Sequence, residues 1–410
     1  MVEDWKKYKL GDLIEVNANS LRNGEIDWIN YIDIKSVGSG VYEVPRRLLL
    51  NEAPSRARRL LKEGDTVISS VRPNLKSFFY SQNLKENSVA STGFAVLTPK
   101  NIDSRFLYYL TTNDTYIDFL VKSCTGSAYP AFGPNVLINS EVTIPVSLQE
   151  QRTIGAILSP LDDKIEINLQ MNKTLEEMAM TLYKHWFVDF GPFQEGEFVD
   201  SELGMIPKGW EVKRLDEILE IRRGGSPRPI QDFLSDEGLH WMKISDATAS
   251  NSPFLYTTKE FIKVEGLRKT ILIKPGSIIL SNSATPGLPR LIEFETCIHD
   301  GWLHFPQINR FNRYILYLLF LDIKEHLIQQ GNGSVFTNLK TDILKSQLIK
   351  LPSLGVEISF TNQITPWFEQ IRNNTIETQT LTTLRDTLLP KLISGEVRVK
   401  EAVEMFEEVM

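Results

Sequence analysis

The feature that most constrains this chain is an internal duplication. WKKYKLGDLIEV at 5–16 aligns with WEVKRLDEILEI at 210–221, an offset of 205, matching Trp5 with Trp210, Leu10 with Leu215 and Glu15 with Glu220. In the same order, WINYIDI (28–34) matches WMKISDA (241–247), with Trp28 over Trp241 and Asp33 over Asp246. KEGDTVISS (62–70) matches KPGSIILSN (274–282), RFLYYL (105–110) matches RYILYL (313–318), Gly126-Ser127 matches Gly333-Ser334, and Ile144-Pro145 matches Leu351-Pro352. The offset stays between 205 and 213, as short loop insertions require. A chain of 410 residues is too long for one core. One order of segments repeated over its length dictates two units of one architecture.

Each unit has two parts. The first contains short β-branched runs punctuated by Gly, Pro and Asn, with Thr66–Ser69 and Phe94–Thr98 reading as strands. One helix per unit follows, at 104–121 and 310–329, on spacings such as Phe106, Leu110, Ile117 and Val121. The second part carries a seam of alternating three- and four-residue steps: Leu158, Leu161, Ile165, Asn168, Asn172, Leu175, Ala179, Leu182 and Trp186. In the second unit Ile364, Trp367, Ile371, Asn374, Leu381 and Leu388 share that register, with Thr378 and Arg385 as weak points. Ser159-Pro160 and Thr365-Pro366 read as a hydroxyl N-cap followed by proline at the first helical position. Asp162 and Asp163 then fall in the first turn, where the helix dipole favours negative charge.

The expected fold is α+β. Two similar globular domains, 1–147 and 201–354, are separated by two long antiparallel coiled-coil helices in 148–200 and 355–410, with pseudo-twofold repetition. Helices of about 28 residues would be roughly 40 Å long at 1.5 Å per residue. Asn168 and Asn374 occupy equivalent seam positions, and two readings stand. They are polar residues at frayed points, or a buried polar pair that fixes the register of the helices at some cost in stability.

Several chemistries find no residues here. The chain has no Gly-rich P-loop ending in Gly-Lys-Ser/Thr, and no Asp/Asn-Pro-Pro-aromatic tetrapeptide to hold a flipped adenine. The histidines His185, His240, His299, His304 and His326 never pair with cysteines at zinc-ligand spacing. His299, Asp300 and His304 read more readily as structural than as a metal site. Asp200 with Glu211-Val212-Lys213 imitates a nuclease metal set, but its repeat partner Lys6-Lys7-Tyr8 lacks the acid. Catalytic, cofactor and metal sites are therefore not expected. Cys124 and Cys297 are isolated, which fits a reducing cytoplasm. The longest apolar stretch, Tyr314–Leu321, falls short of the roughly 18–20 residues of a membrane span.

Binding features are more prominent. Arg46, Arg47, Arg56, Arg58, Arg59 and Lys62 lie within 17 residues, opposed there only by Glu52. The following strand ends in Arg72-Pro73-Asn74-Leu75-Lys76. Its guanidinium, amide and ammonium suit guanine edges, adenine edges and phosphates respectively. The matching segment Ser283–Arg290, with Arg290 as its candidate DNA contact, is far less basic, so the two tips should read different sequences. Arg223 lies in a second Arg/Gly-rich loop, Arg222–Arg228. The matched loops contribute Ser127 and Tyr129 in one unit and Ser334, Phe336, Asn338 and Lys340 in the other. Glycine and serine there suit phosphates. The competing reading makes Tyr129 and Phe336 core-closing aromatics and the arginines a solvated face.

These motifs together resemble the specificity subunit of a type I restriction–modification system, over essentially the whole chain. HWFVDF (185–190), GMIPKGWEV (204–212), PVSLQEQRTIGAILSPLDDKIEIN (145–168) and LLPKLISGEVRV (388–399) carry the resemblance. GGSPRPIQDFLSDEGLHWMKISD (224–246) is similar to a common target-recognition opening, while LGVEISFTNQI (354–364) departs from the Gln-Glu-Gln style at 149–151. The resemblance implies a non-catalytic, cytoplasmic subunit of phage defence. Each domain would read half of a bipartite double-stranded DNA site, and the helices would set the unread spacer and dock two methyltransferase subunits. Those partners, with restriction subunits, would use S-adenosylmethionine, ATP and Mg2+; this chain would hold no cofactor and contact no membrane. The rival classes are a single-chain restriction or modification enzyme with duplicated recognition domains and a coiled-coil adaptor that reads another protein.

The formal net charge of −7 at first opposes a nucleic-acid binder. Its distribution removes the objection. Residues 1–145 carry 17 basic and 16 acidic side chains and residues 201–355 carry 19 and 17, while 146–200 carry 4 and 10 and 356–410 carry 5 and 9. The acidity belongs to the helical segments.

Overall fold

A computed structural model describes residues 4–21, 26–126, 129–330 and 338–399. The chain forms two compact units, Met1–Ile167 with Thr378–Met410, and Asn168–Glu377.

In the first unit, Trp5–Lys9 pairs antiparallel with Glu141–Pro145, closing the beginning of the globular part onto its end. Between them lie two four-stranded sheets. One has the order Ile14–Val16, Phe94–Pro99, Thr66–Ser69, Phe78–Tyr80. The other has the order Arg46–Leu49, Trp28–Ile32, Ser88–Ser91, Ala57–Leu60, its central pair parallel. Thr66–Ser69 is buried at every position, hence its unbroken β-branched run rather than an alternation.

The second unit repeats this plan. Glu211–Arg214 pairs with Leu348–Leu351. Arg222–Arg223, Trp302–His304, Ser277–Ser281 and Pro289–Ile292 follow the first sheet's order, with Phe254–Leu255 added at the edge. Glu260–Ile262, Leu239–Met242, Thr296–Ile298 and Ile271–Ile273 follow the second, again with a parallel central pair. Strand register corrects one alignment. Tyr31 lies opposite Val89 and Trp241 opposite Cys297 in the parallel pairs, so Tyr31, not Trp28, is the counterpart of Trp241.

The single helix expected at 104–121 is two, Ser104–Thr112 and Asp114–Lys122. Asn113 breaks it: its backbone is extended, its Oδ1 accepts from the Tyr116 amide at 3.0 Å, and its Nδ2 donates to the Leu110 carbonyl at 2.7 Å. In the second unit Arg313–Gln330 is continuous, capped by Asn312 Oδ1 on the amides of Tyr314 and Ile315.

The long helices, Leu148–Tyr183 and Leu354–Ser394, have 36 and 41 residues, about 54 and 62 Å of rise. Both start well before the expected Ser-Pro and Thr-Pro signals. Pro160 and Pro366 lie inside, and Ser147 Oγ meets the Glu150 amide at the true start of the first. Thr365 Oγ1 donates back to the Thr361 carbonyl at 2.7 Å instead of capping. Burial of Ile154 and Leu158 on one side and of Phe360 and Ile364 on the other fixes the upstream turns, offsetting the hydrogen bond each proline removes.

The two helices run antiparallel. Arg385 meets Asp162 at 2.8 Å in the first unit, and in the second Asn168 meets Glu377 at 2.8 Å and Asn172 meets Asn374 at 2.9 Å. Asp162 is thus a mid-helix ion-pair partner, not a first-turn dipole residue. The first long helix ends in a π-helical turn at Lys184–Val188, and Phe190 turns left-handed (φ 55°). At Gly191 a Cβ would lie 1.8 Å from Cε1 of the exposed His185 side chain, which would have to swing aside to admit it.

Candidate nucleic-acid interface

In the first unit two loops are tied together at the end of Thr66–Ser69. The Phe132 amide donates to the Ser70 carbonyl at 3.0 Å, and the Arg72 amide to the Pro130 carbonyl at 2.8 Å. Thr125 and Ala131 exchange backbone hydrogen bonds; between them in sequence lie Gly126, at φ 88°, and Tyr129. The Arg72 guanidinium lies 5.0 Å from the Tyr129 ring centroid, and that ring is 61% exposed. Tyr129 therefore does not close the core.

Asn74 is exposed beside Leu75, which is 62% exposed. Lys76 is half-exposed and its Nζ lies 2.7 Å from Asp114, so a carboxylate already matches the ammonium expected for phosphate. The upstream basic cluster is dispersed. Arg47 covers the Trp28 ring at 4.1 Å, and Arg56 donates to Asp33 at 2.6 Å and to the Tyr31 hydroxyl at 3.2 Å. Burial opposes the Asp33 charge, but the Lys35 amide and Arg56 hold its carboxyl below the ordinary value.

The second unit repeats the loop joint. The Leu339 amide donates to the Asn282 carbonyl at 2.8 Å, as Phe132 does to Ser70. Asn338 and Lys340 are exposed beside it. Ser127, Ser334 and Phe336 lie outside the described residues.

Arg290 is corrected. It sits on the strand Pro289–Ile292, 8% exposed, and donates to the carbonyls of Ala247 at 2.7 Å and Ser250 at 3.3 Å. A guanidinium spent on backbone carbonyls inside the domain is not available to a base edge.

Arg223 is exposed at the edge of its sheet and donates to the Asp300 carbonyl, 3.9 Å from the same residue's carboxylate. Arg228 reaches that carboxylate at 3.2 Å and Ser226 Oγ donates to it at 2.7 Å. The Ser226 hydroxyl, against the cost of burial and with both guanidiniums, holds the Asp300 carboxyl below its ordinary range. Gly224 lets this loop lie against the strand, since a Cβ would meet the His299 carbonyl oxygen at 2.3 Å. An open cleft of about 790 Å3 lies beside it, lined by Arg228, Gln231, Trp241, Lys243, Ser283 and His299.

Asp33 and Asp300 act as anchors for arginines, a role the sequence reading did not assign. Strand register sets Asp300 over Thr92, so the two anchors are not equivalent positions of the repeat, and no shared motif marks them. His299 Nδ1 accepts from the Gly301 amide at 2.8 Å. Among the described residues no group of three His, Cys, Asp or Glu is placed to hold a metal ion, and no helix is long and apolar enough to cross a membrane.

Asn168 and Asn374 are both buried, 0% and 3% exposed, but they do not bond each other. Asn168 Nδ2 donates to Glu377, its Oδ1 is unpaired among the described atoms, and Asn374 Nδ2 donates to Asn172 while its Oδ1 accepts from Gln370.

The chain matches the family model described as the type I restriction modification DNA specificity domain twice, over residues 2–177 and 207–385. It is 28% identical over 417 residues to the type I restriction enzyme MjaIX specificity subunit of Methanocaldococcus jannaschii, covering 97% of this chain and 95% of that one. It is 26% identical over 477 residues to the type I restriction enzyme HindI specificity subunit of Haemophilus influenzae, covering 97% and 100%. The fold is similar to that of a type I restriction–modification S subunit from M. genitalium, with TM-score 0.57 and 14% identity over 95% of this chain and 96% of that one.

Proposed function

The chain belongs to the type I restriction modification DNA specificity family, and from that membership we propose that it reads a bipartite, asymmetric DNA site, one half with each globular domain. It is a DNA sequence-specificity subunit. The regions 1–147 and 201–354 act as the target-recognition domains, and 148–200 and 355–410 set the unread spacer through the antiparallel helices. The same helices dock two methyltransferase subunits. The chemistry resides in those partners and in restriction subunits, which use S-adenosylmethionine, ATP and Mg2+. Asn168 and Asn374 serve the register of the helix pair, since shifting either helix would leave buried amides unpaired.

One observation carries this reading. The same interloop bond, Phe132 to Ser70 and Leu339 to Asn282, supports a two-loop face in each domain, while the side chains on the two faces differ. Equal scaffolds with unequal side chains suit two different half-sites. Phosphates along the duplex are met by the exposed Arg46, Arg223 and Lys340, and base edges by Arg72 and Asn74. In the assembled complex, Arg72→Ala or Asn74→Ala relaxes the methylated-adenine motif in one half only, at a cost of about 1–3 kcal/mol in discrimination. Equal relaxation of both halves would overturn the domain assignment.

A further inference from the structure

We propose that residues 72 and 284 are equivalent base-contacting positions, at which Arg72 selects a guanine and Ala284 selects a thymine through its 5-methyl group. The assignment rests on the reading of each domain as a half-site reader.

Equivalence follows from backbone geometry. Ser69 pairs with Phe94 and Ser281 with Trp302 at matching ends of the two sheets. The next residues, Ser70 and Asn282, accept the matched interloop bonds, and two residues further on stand Arg72 and Ala284. Both are left-handed, at φ 48° and 57°. The loops leave the same way: counting back from Phe78 and Pro289, which face Ile68 and Leu280, Lys76 and Gly287 are again left-handed, at φ 52° and 76°.

Left-handed backbone is unfavourable for any residue with a Cβ. Eight non-glycine residues adopt it among the described residues, and of these Arg72 and Ala284 alone occupy matching positions of the repeat. The fold therefore keeps a costly conformation in both domains while the side chain changes from a guanidinium to a methyl. Both side chains are exposed. The Arg72 guanidinium lies over the Tyr129 ring, 5.0 Å from its centroid, and has no carboxylate partner among the described residues, so its N–H groups remain available to a base edge. A fork of that kind matches guanine O6 and N7, and an alanine methyl at the same place matches only the thymine methyl.

The experiment uses the assembled complex and methylated-adenine maps from cells that carry it. Ala284→Arg should replace a thymine by a guanine in one half-site. Arg72→Ala should lower discrimination for a guanine in the other half-site by roughly tenfold to a hundredfold. With unaltered protein, deoxyuridine in place of that thymine should weaken binding about fourfold, the value of one buried methyl. Ala284→Gly keeps the backbone at ease and the fold intact, and it should abolish the difference between thymine and deoxyuridine. A specific complex whose motif is unmoved by Ala284→Arg and Arg72→Ala, or that binds deoxyuridine as well as thymine, overturns this assignment and leaves half-site reading standing. A complex with no preferred sequence removes both.

Discussion

Arg385 Nη1 lies 2.8 Å from Asp162 Oδ1, and the Tyr109 hydroxyl donates to the same carboxylate at 2.7 Å. This cluster joins the first domain's helix Ser104–Thr112 to both long helices. In the repeat's register the second unit has Phe368 for Asp162 and Ala179 for Arg385, and there Phe368 stacks on Tyr314 at 4.5 Å. One unit is fastened by charge and the other by aromatic packing.

Removing one partner of the charged cluster strands the other. Asp162→Ala or Arg385→Ala should lower the stability of the first unit by about 1–3 kcal/mol, below the cost for a fully buried pair because both side chains keep some exposure. The pair Asp162→Phe with Arg385→Ala, which copies the second unit, should cost less than the sum of the single changes. Denaturant unfolding of the four proteins measures this, and strict additivity would contradict the coupling.

Acid should weaken the second unit selectively. Burial holds His240, His299 and His304 below their ordinary value of 6.5, and the first unit's segments contain no histidine. Above that value both folded and unfolded imidazoles are neutral and nothing is lost. Below it the unfolded chain takes up protons that the folded domain refuses, so stability falls with pH. Hydrogen exchange at pH near 7.5 and 5.5, corrected for intrinsic rates, should show protection lost in Leu239–Met242 and Thr296–Ile298 before Trp28–Ile32. Parallel loss in both units would rule this out.

Arg290 should matter for stability and not for sequence. Arg290→Met leaves the carbonyls of Ala247 and Ser250 without that donor and should cost about 1–3 kcal/mol. The methylation motif of the assembled complex should not change; an altered motif would restore Arg290 to the reading face.

Four residues added to each long helix, at the boundaries after Ile167 and Glu377, extend each by about 6 Å. The unread spacer should grow by about two base pairs, at 3.4 Å of rise each. An unchanged spacer would discard the helices as the element that sets it.

The duplication, the α+β class and the antiparallel long helices were legible in the residues, because each leaves a local or periodic signature. Helix starts were not. Ser159-Pro160 and Thr365-Pro366 carry the local chemistry of an N-terminus, but the burial of Leu158 and Phe360 lies in contacts a sequence window cannot contain. Position 113 shows the reverse: an asparagine inside a helical pattern turned its side chain onto nearby backbone and split the helix.

The candidate interface divides the same way. The basic tip at Arg72 could be read directly, because an arginine, a proline and an asparagine in sequence mark an exposed turn. Arg290 was the one arginine of the less basic matching tip, and only the strand it occupies, with the Ala247 and Ser250 carbonyls beside it, turned it inward. Ala284 carries no signal in its own chemistry; it stands out once strand register sets it over Arg72 and the backbone shows the same left-handed turn. Sequence by itself determined that there are two similar domains and roughly where turns interrupt their strands, since repetition and turn residues act locally. Tertiary structure decided which of those side chains face outward, because burial and hydrogen-bond partners come from residues tens to hundreds of positions away.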